Sequence, residues 1–126
     1  MNYLCNGFSD SMFRDPNMKT INYGLSESEF IDLISHAHFE SVIGHQELAD
    51  VLSQITGVDI PYNRKNINID YDDTIIVVSM KGRLPEHPKK VDYDGRLCYS
   101  FKRFEKQTGN DNANTLSKIN EIKEAV

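Results

Sequence analysis

The feature that most constrains the fold of this chain is one nearly unbroken apolar run, Thr74-Ile75-Ile76-Val77-Val78-Ser79-Met80. β-Branched residues dominate the run, and such residues favour strands. Because polar and apolar residues do not alternate in it, both faces of the strand are expected to be buried. The run is therefore predicted to be a central strand, and the 126 residues of the chain suffice for one core of this kind.

Two helices are predicted from capping residues and apolar spacing. Ser26 and Glu29 form a capping-box pattern ahead of an apolar stripe at helical spacing. A second helix begins at His45 and ends at Gly57, which acts as a C-terminal cap. Further strands are predicted over 3–5, 19–23, 66–71 and 97–104, with a short segment over 39–43. The fold class is therefore α/β, of the mixed α+β kind, with about five strands in a mixed sheet and two main helices packed on it.

The composition changes after Gln107. Residues 108–112 form a polar linker, and Leu116, Ile119 and Ile122 then offer one narrow apolar stripe. A single helix this short is marginal on its own. We therefore predict one domain over 1–107 and a polar C-terminal extension over 108–126, which is either a tail or one short helix.

The acidic charge balance narrows the range of partners. Lysine and arginine number 14 against 19 aspartate and glutamate residues, so the net charge is −5. A surface that grips long DNA or RNA is disfavoured, whereas a small anionic ligand in one local basic pocket remains open. No apolar run approaches the roughly 18 to 20 residues of a membrane span, and the first residues lack the pattern of a signal peptide. We expect a cytoplasmic protein that binds neither long nucleic acid nor a membrane.

Neither a metal site nor a disulfide framework is predicted. Cys5 and Cys98 lie far apart and form no Cys-x-x-Cys pattern. His36 and His38 are two residues apart, a spacing that does not put them on one helix face, and no third ligand is apparent. We expect the protein to work without a metal or another cofactor.

Ile43-Gly44-His45 is the strongest candidate for chemistry. It puts a histidine at the start of a helix, directly after a glycine that lets a ligand approach the backbone closely. Free N–H groups and the helix dipole make such a position receptive to phosphate. A histidine that titrates near neutrality can transfer protons there. The alternative is that His45 only caps or packs the start of the helix.

Two arginines and one glutamate stand at predicted strand ends. Arg64 follows Asn63 at the entrance to a strand, and Arg83 follows the most apolar strand, with Glu86 three residues later. Guanidinium groups bind phosphate oxygens through paired hydrogen bonds, so arginines near a histidine would suit a phosphodiester. The alternatives are surface salt bridges for the arginines and a solvated charge for Glu86.

The order of the short motifs resembles a known family. The chain is similar to the anti-CRISPR ring nucleases of viruses and mobile elements, which degrade the cyclic tetra-adenylate messenger of type III CRISPR defence. The resemblance covers residues 3 to about 105. The motifs that carry it are Tyr3-Leu4-Cys5-Asn6-Gly7-Phe8-Ser9, Ser41-Val42-Ile43-Gly44-His45, Ile60-Pro61-Tyr62-Asn63-Arg64, Arg83-Leu84-Pro85-Glu86 and Tyr99-Ser100-Phe101.

The resemblance implies a function and a set of roles. Family members are metal-independent homodimers that enclose the cyclic ligand between two subunits. By position, His45 matches the catalytic histidine, and Arg83 and Glu86 match residues that support catalysis at the scissile phosphate. The matching ligand-binding positions are Asn6, Ser9 and Arg64, and the adjoining motif residues Gly44 and Asn63 are predicted with them.

The implied reaction is cleavage of an internal RNA linkage. A ribose 2′-hydroxyl attacks its neighbouring phosphorus, His45 protonates the departing 5′ oxygen, and Arg83 stabilises the charge. The products are linear di-adenylates that end in a 2′,3′-cyclic phosphate. The chain departs from the family at Gln46-Glu47-Leu48, where threonine is common, and at His87-Pro88. The alternatives are a sponge that binds a cyclic nucleotide without turnover, and a mobile-element protein that only binds another protein.

Overall fold

The computed structural model describes residues 1–86, 88–106 and 117–124. Five strands form one sheet in the spatial order β2-β5-β4-β1-β3. The strands are β1 (Asn2–Cys5), β2 (Met18–Leu25), β3 (Glu40–Val42), β4 (Thr74–Met80) and β5 (Leu97–Lys106). β1 pairs in parallel with β3 and β4, and β5 pairs antiparallel with β2 and β4. The mixed α/β fold with five strands is therefore confirmed.

β4 is the central strand, as its sequence predicts. Ile75 and Val77 point into the core on one face of the sheet, and Ile76 and Val78 point into the core on the other. All four side chains are buried. Burial of each contributes about 1.5–3 kcal/mol, and the two polar residues of the strand, Thr74 and Ser79, lie near its ends.

Helices α1 (Glu27–His36) and α2 (Gln46–Thr56) cover one face of the sheet. The predicted capping box is present: the Glu29 N–H donates to Ser26 Oγ at 3.1 Å, and the Ser26 N–H donates to Glu29 Oε1 at 3.0 Å. Phe30 of α1 is fully buried and stacks on Tyr99, with ring centroids 4.2 Å apart. Gly57 ends α2 with a φ of 71°, a left-handed conformation that favours glycine.

The other face of the sheet is covered without a regular helix. A 3₁₀ turn, Asp10–Met12, and the segment 62–73 lie over it. The two are joined by backbone hydrogen bonds from the Ile69 N–H to the Met12 carbonyl at 2.7 Å and from the Arg14 N–H to the Ile69 carbonyl at 3.0 Å. This irregular layer carries residues 63–67, which reach the site described below.

The predicted strand over 66–71 is wrong. Only Ile69 makes a bridge there, to Phe13, and the remainder is irregular. Its alternating apolar residues pack onto the sheet as a cover instead of pairing within it. The fifth strand of the sheet is instead β3, Glu40–Val42, which lies within the short segment predicted over 39–43 and pairs with β1.

The C-terminal part of the chain is described only over 117–124. These residues form a helix, α3, and every one of them is exposed. Ile119 is 41% exposed and Ile122 is 66% exposed. The predicted linker at 108–112 lies outside the described residues, so the division at 107 stays a prediction. Across 1–86, 88–106 and 117–124, the helices are all too short or too polar to cross a membrane.

Candidate functional site

The predicted site lies where two parallel strands end together. β1 and β3 are neighbours and run in the same direction, so the loops that follow them meet at one edge of the sheet. The loop after β1 carries Asn6, and the loop after β3 carries Gly44 and His45. Ligands of α/β proteins commonly bind beyond the carboxyl ends of parallel strands.

One hydrogen bond joins these two loops. The Gly44 N–H donates to Asn6 Oδ1 at 2.9 Å, in a half-buried position. A Cβ atom at Gly44 would lie 3.4 Å from Arg64 Cγ and 3.6 Å from Asn6 Oδ1. The Asn6 and Arg64 side chains therefore both lie close to Gly44, although the three positions are far apart in the sequence.

His45 is the N-cap residue of α2. No side chain caps this helix, so the N–H groups of its first turn keep their hydrogen-bonding capacity. The His45 carbonyl accepts the first helical bond from the Ala49 N–H at 3.0 Å. Its imidazole is exposed and makes no hydrogen bond to the part of the chain that the structure describes. The ring is therefore free to contact a ligand.

A basic cavity opens on one side of His45. Its volume is about 310 Å³, and its floor is apolar, formed by Cys5, Met12, Val42 and Ile67. Around this floor the basic cavity is lined by Asn6, Gly44, His45, Arg64, Lys65 and Asn66. Two adjacent cations beside a histidine on a chain of net charge −5 give this cavity the electrostatics of an anion site.

Lys65 was not among the residues predicted from the sequence. It forms an ion pair with Glu40 at the start of β3, and the hydrogen bond with Glu40 raises the pKa of the lysine. Its position directly after Arg64 is the one sequence signal that could have found it. Lys65 therefore stays protonated, but Glu40 partly offsets its charge, so Arg64 supplies most of the positive charge of the basic cavity.

An acidic cavity opens on the other side of His45. Its volume is about 570 Å³, and apolar side chains such as Leu48, Val78, Met80 and Leu84 line much of it. The polar residues that line the acidic cavity are Asn6, His45, Glu47, Ser79, Glu86 and Tyr93. Asn6 and His45 line both cavities, so they form the boundary between a cationic and an anionic surface.

The structure brings five of the predicted residues together. Asn6, Gly44, His45 and Arg64 line the basic cavity, and Glu86 shares the acidic cavity with Asn6 and His45.

The other three predicted residues have different surroundings. Ser9 caps the 3₁₀ turn by accepting from the Ser11 N–H at 3.3 Å, and it lines neither cavity. The Asn63 side chain donates to the Ser41 carbonyl at 2.8 Å, which fastens the irregular layer to β3. Arg83 is exposed and also lines neither cavity, while its carbonyl accepts from Arg96 Nη1 at 3.1 Å.

A further cavity of about 410 Å³ contains one predicted site residue, Asn63, beside Ser41 and Pro61. No group of three histidine, cysteine, aspartate or glutamate side chains that could hold a metal is found over 1–86, 88–106 and 117–124. Asp72 and Asp73 belong to a turn, which is closed by a hydrogen bond from the Asp73 N–H to the Asp70 carbonyl at 3.1 Å. A larger groove of about 980 Å³ lies beside Val51, Ile55 and Tyr99 and shares Tyr93 with the acidic cavity.

Comparison with known proteins identifies relatives from archaeal viruses. Uncharacterized protein 26 of Sulfolobus islandicus filamentous virus (isolate Iceland/Hveragerdi) is 32% identical over 83 residues, which are 64% of this chain and 70% of the relative. Uncharacterized protein ORF117 of Acidianus two-tailed virus is 34% identical over 76 residues, 59% of this chain and 65% of the relative.

A solved structure shows the same fold. B116 of Sulfolobus turreted icosahedral virus (STIV) superposes with a TM-score of 0.69 over 81% of this chain and 97% of B116, at 18% identity. The sequence pattern of the family described as STIV B116-like matches residues 2–92, which include β1 to β4, both main helices and most of the site. The chain therefore belongs to the STIV B116-like family.

Proposed function

We propose that this protein is a metal-independent phosphodiesterase that cleaves cyclic tetra-adenylate and so acts as an anti-CRISPR ring nuclease. The observation that carries the proposal is the position of His45. Its imidazole stands at the uncapped start of α2, with a basic cavity on one side and an acidic cavity on the other. A phosphodiester that enters the basic cavity comes within reach of a group that can transfer a proton.

In the proposed reaction the nucleophile belongs to the substrate. The 2′-oxygen of one ribose forms a bond to its neighbouring phosphorus, and the bond from phosphorus to the 5′ oxygen breaks. His45 gives its proton to the departing 5′ oxygen, and Glu86 receives the proton that the 2′-hydroxyl loses. Acid catalysis of this kind supplies about 10²–10⁴-fold in rate. The products are two linear di-adenylates, each with a 2′,3′-cyclic phosphate.

The two arginines have different parts in the proposal. Arg64 lies close to Gly44 and lines the basic cavity, which supports a role in binding phosphate oxygens. Arg83 lies on the loop that leads to Glu86. In the proposal, Arg83 stabilises the negative charge that develops at the scissile phosphate. Arg64→Ala is then expected to raise KM, whereas Arg83→Ala lowers kcat more than it weakens binding. Equal losses in kcat/KM and affinity for Arg83→Ala would reassign it to ligand binding.

The proposal includes a homodimer that works in the cytoplasm of the host cell. A ring of four equivalent nucleotides suits a two-fold axis, because each subunit can present one His45 to one of two opposite linkages. Both cavities open to the surface of the single chain, so a second copy would be needed to enclose the ring. Mass measurement of the native protein with and without ligand tests this part.

Cleavage with a matched histidine control tests the proposal. The protein is incubated with radiolabelled cyclic tetra-adenylate and excess EDTA, and the products are separated by chromatography. We expect di-adenylate from the parent protein and from His38→Ala, whose imidazole is exposed and lines neither cavity. We expect none from His45→Ala.

The other outcomes identify the alternatives. A mobility shift with intact ligand and no cleavage by the parent protein would indicate a sponge. Absence of both binding and cleavage would leave a protein-interaction module. Loss of cleavage in EDTA would contradict the metal-independent mechanism.

A further inference from the structure

We propose that the acidic cavity is a base-reading site, in which Glu47 and Tyr93 select an adenine base next to the scissile linkage. The proposal rests on the proposed function for the identity of the ligand as an oligonucleotide ring. It adds a specificity site that neither the sequence motifs nor the family match assigns. Glu47 stands at a position where the chain departs from the ring-nuclease pattern.

The lining of the acidic cavity suits a base and disfavours a phosphate. Glu47 and Glu86 put two carboxylates at its surface, and these repel a phosphodiester. Leu48, Val78 and Met80 provide apolar surface against which a flat heteroaromatic ring can pack. The basic cavity on the other side of His45 has the opposite character, with Arg64 and Lys65. The base is thereby directed to the acidic cavity, and the phosphate is directed to the basic cavity and to His45, which lines both cavities.

Tyr93 contributes a hydroxyl that a ligand in the acidic cavity can use. Its side chain is only 4% exposed, yet its hydroxyl makes no hydrogen bond to any described residue. No fully enclosed polar side-chain atom among the described residues lacks a partner, so this hydroxyl must open onto a cavity. Water that enters the cavity can reach this hydroxyl, and a ligand that replaces the water can take over its hydrogen bond.

Tyr93 lines the acidic cavity together with Glu47, and it also borders the larger groove. Burial raises the pKa of Tyr93, and the negative charge of Glu47 raises it further, ahead of Asp92. Glu47 and Tyr93 line the same cavity, so a ligand inside it can be reached by both side chains. The phenol stays protonated, so Tyr93 is a hydrogen-bond donor beside an acceptor.

A donor beside a carboxylate complements the edge of adenine that carries the 6-amino group. The amino group donates to Glu47, and the adjacent ring nitrogen accepts from the Tyr93 hydroxyl. Hypoxanthine differs from adenine by a 6-oxo group in place of the amino group. That oxygen would face the Glu47 carboxylate with no proton between them, which opposes binding.

Two cyclic ligands and three variants test the proposal. The ligands are cyclic tetra-adenylate and cyclic tetra-inosinate, and the variants are Glu47→Gln, Tyr93→Phe and the control Asp50→Asn. Asp50 lies on the same helix, is exposed and lines neither cavity, so its variant removes a charge without touching the site. Affinity is measured by calorimetry in a His45→Ala background, and cleavage is measured with His45 present.

We expect the parent protein to prefer the adenylate ring by about tenfold or more, the effect of one hydrogen bond to a charged group. Glu47→Gln brings this ratio close to one, because an amide can present either a donor or an acceptor. Tyr93→Phe weakens adenylate binding and leaves the melting temperature unchanged or higher, since the unpaired hydroxyl is gone. Asp50→Asn leaves the ratio as it is.

Failure of this inference is distinguishable from failure of the proposed function. Equal affinity for the two rings, or an equal effect of Asp50→Asn and Glu47→Gln, would overturn the base-reading site while cleavage of the adenylate ring still supported the ring nuclease. A clear preference for adenylate without cleavage would support the base-reading site and overturn the nuclease. Absence of binding to either ring would overturn both.

Discussion

The hydrogen bond between the Gly44 N–H and Asn6 Oδ1 predicts a separation of stability from ligand binding. It joins two loops that are 38 residues apart in the sequence, at 2.9 Å and in a half-buried position. Asn6→Ala leaves the Gly44 N–H without its acceptor. An unpaired group that water can partly reach costs about 1 kcal/mol. The unfolding entropy is about 2.1 cal/mol/K per residue. For the domain predicted over 1–107, a loss of about 1 kcal/mol lowers the melting temperature of Asn6→Ala by ~4–5 °C.

Asn6→Asp has a different pair of effects. Its carboxylate oxygen can still accept from the Gly44 N–H, so we expect a smaller loss of melting temperature than in Asn6→Ala. Asn6 lines both cavities, and a new negative charge beside Arg64 and His45 repels phosphate. We therefore expect Asn6→Asp to melt at a higher temperature than Asn6→Ala. We expect Asn6→Ala to bind cyclic tetra-adenylate more tightly than Asn6→Asp.

Thermal unfolding and calorimetric titration of the two variants measure these orders. Asn68→Ala and Asn68→Asp serve as controls, because Asn68 is exposed and lines neither cavity. An unchanged melting temperature in Asn6→Ala would refute the assembly of the site by this hydrogen bond. Equal affinity of the two Asn6 variants would refute a phosphate position beside Asn6.

Three further predictions concern the rest of the chain. Burial raises the pKa of Cys5 to about 12. At pH 8 a thiol reagent should therefore modify the partly exposed Cys98 in the folded protein, and Cys5 only after denaturation. Immediate reaction of both cysteines would contradict the burial of Cys5. Burial lowers the pKa of Lys102, so the unfolded chain binds the lysine proton more tightly than the folded chain. The free energy of unfolding, measured relative to Lys102→Met by urea titration, should therefore rise as the pH increases from the folded pKa towards the ordinary lysine value. A fall over that range would contradict this. All residues of α3 are exposed, so a chain truncated after residue 107 should keep its melting temperature within ~1–2 °C. Calorimetry measures this, and a larger loss would show that the domain needs α3.

Local patterns predicted much of the fold because their causes are local. The capping box of Ser26 and Glu29 and the left-handed Gly57 depend on residues within one or two turns of a helix. The unbroken apolar run of β4 reports burial on both faces directly. Alternation over 66–71 reports only that one side of the segment is buried. A strand and an irregular covering segment show the same alternating pattern. Which of the two forms depends on pairing with residues that are distant in the sequence.

The site combines residues whose proximity depends on pairing that no local pattern shows. Asn6 and His45 meet because β1 and β3 are parallel neighbours, and β3 was predicted only as a short segment. The family resemblance names both residues without explaining why they lie close together. Glu47 and Tyr93 had no motif to mark them, because a specificity role depends on the cavity that folding creates.

Cleavage in water labelled with oxygen-18 tests the central claim most directly. If the 2′-hydroxyl of the substrate is the nucleophile and His45 is the acid, cyclic tetra-adenylate is converted to di-adenylate of half its mass, with no added water. Mass spectrometry of early products should then find 2′,3′-cyclic phosphate ends without the heavy isotope, and His45→Ala should yield none. Heavy oxygen in the first product, or an intact ring after prolonged incubation with the parent protein, would contradict the account.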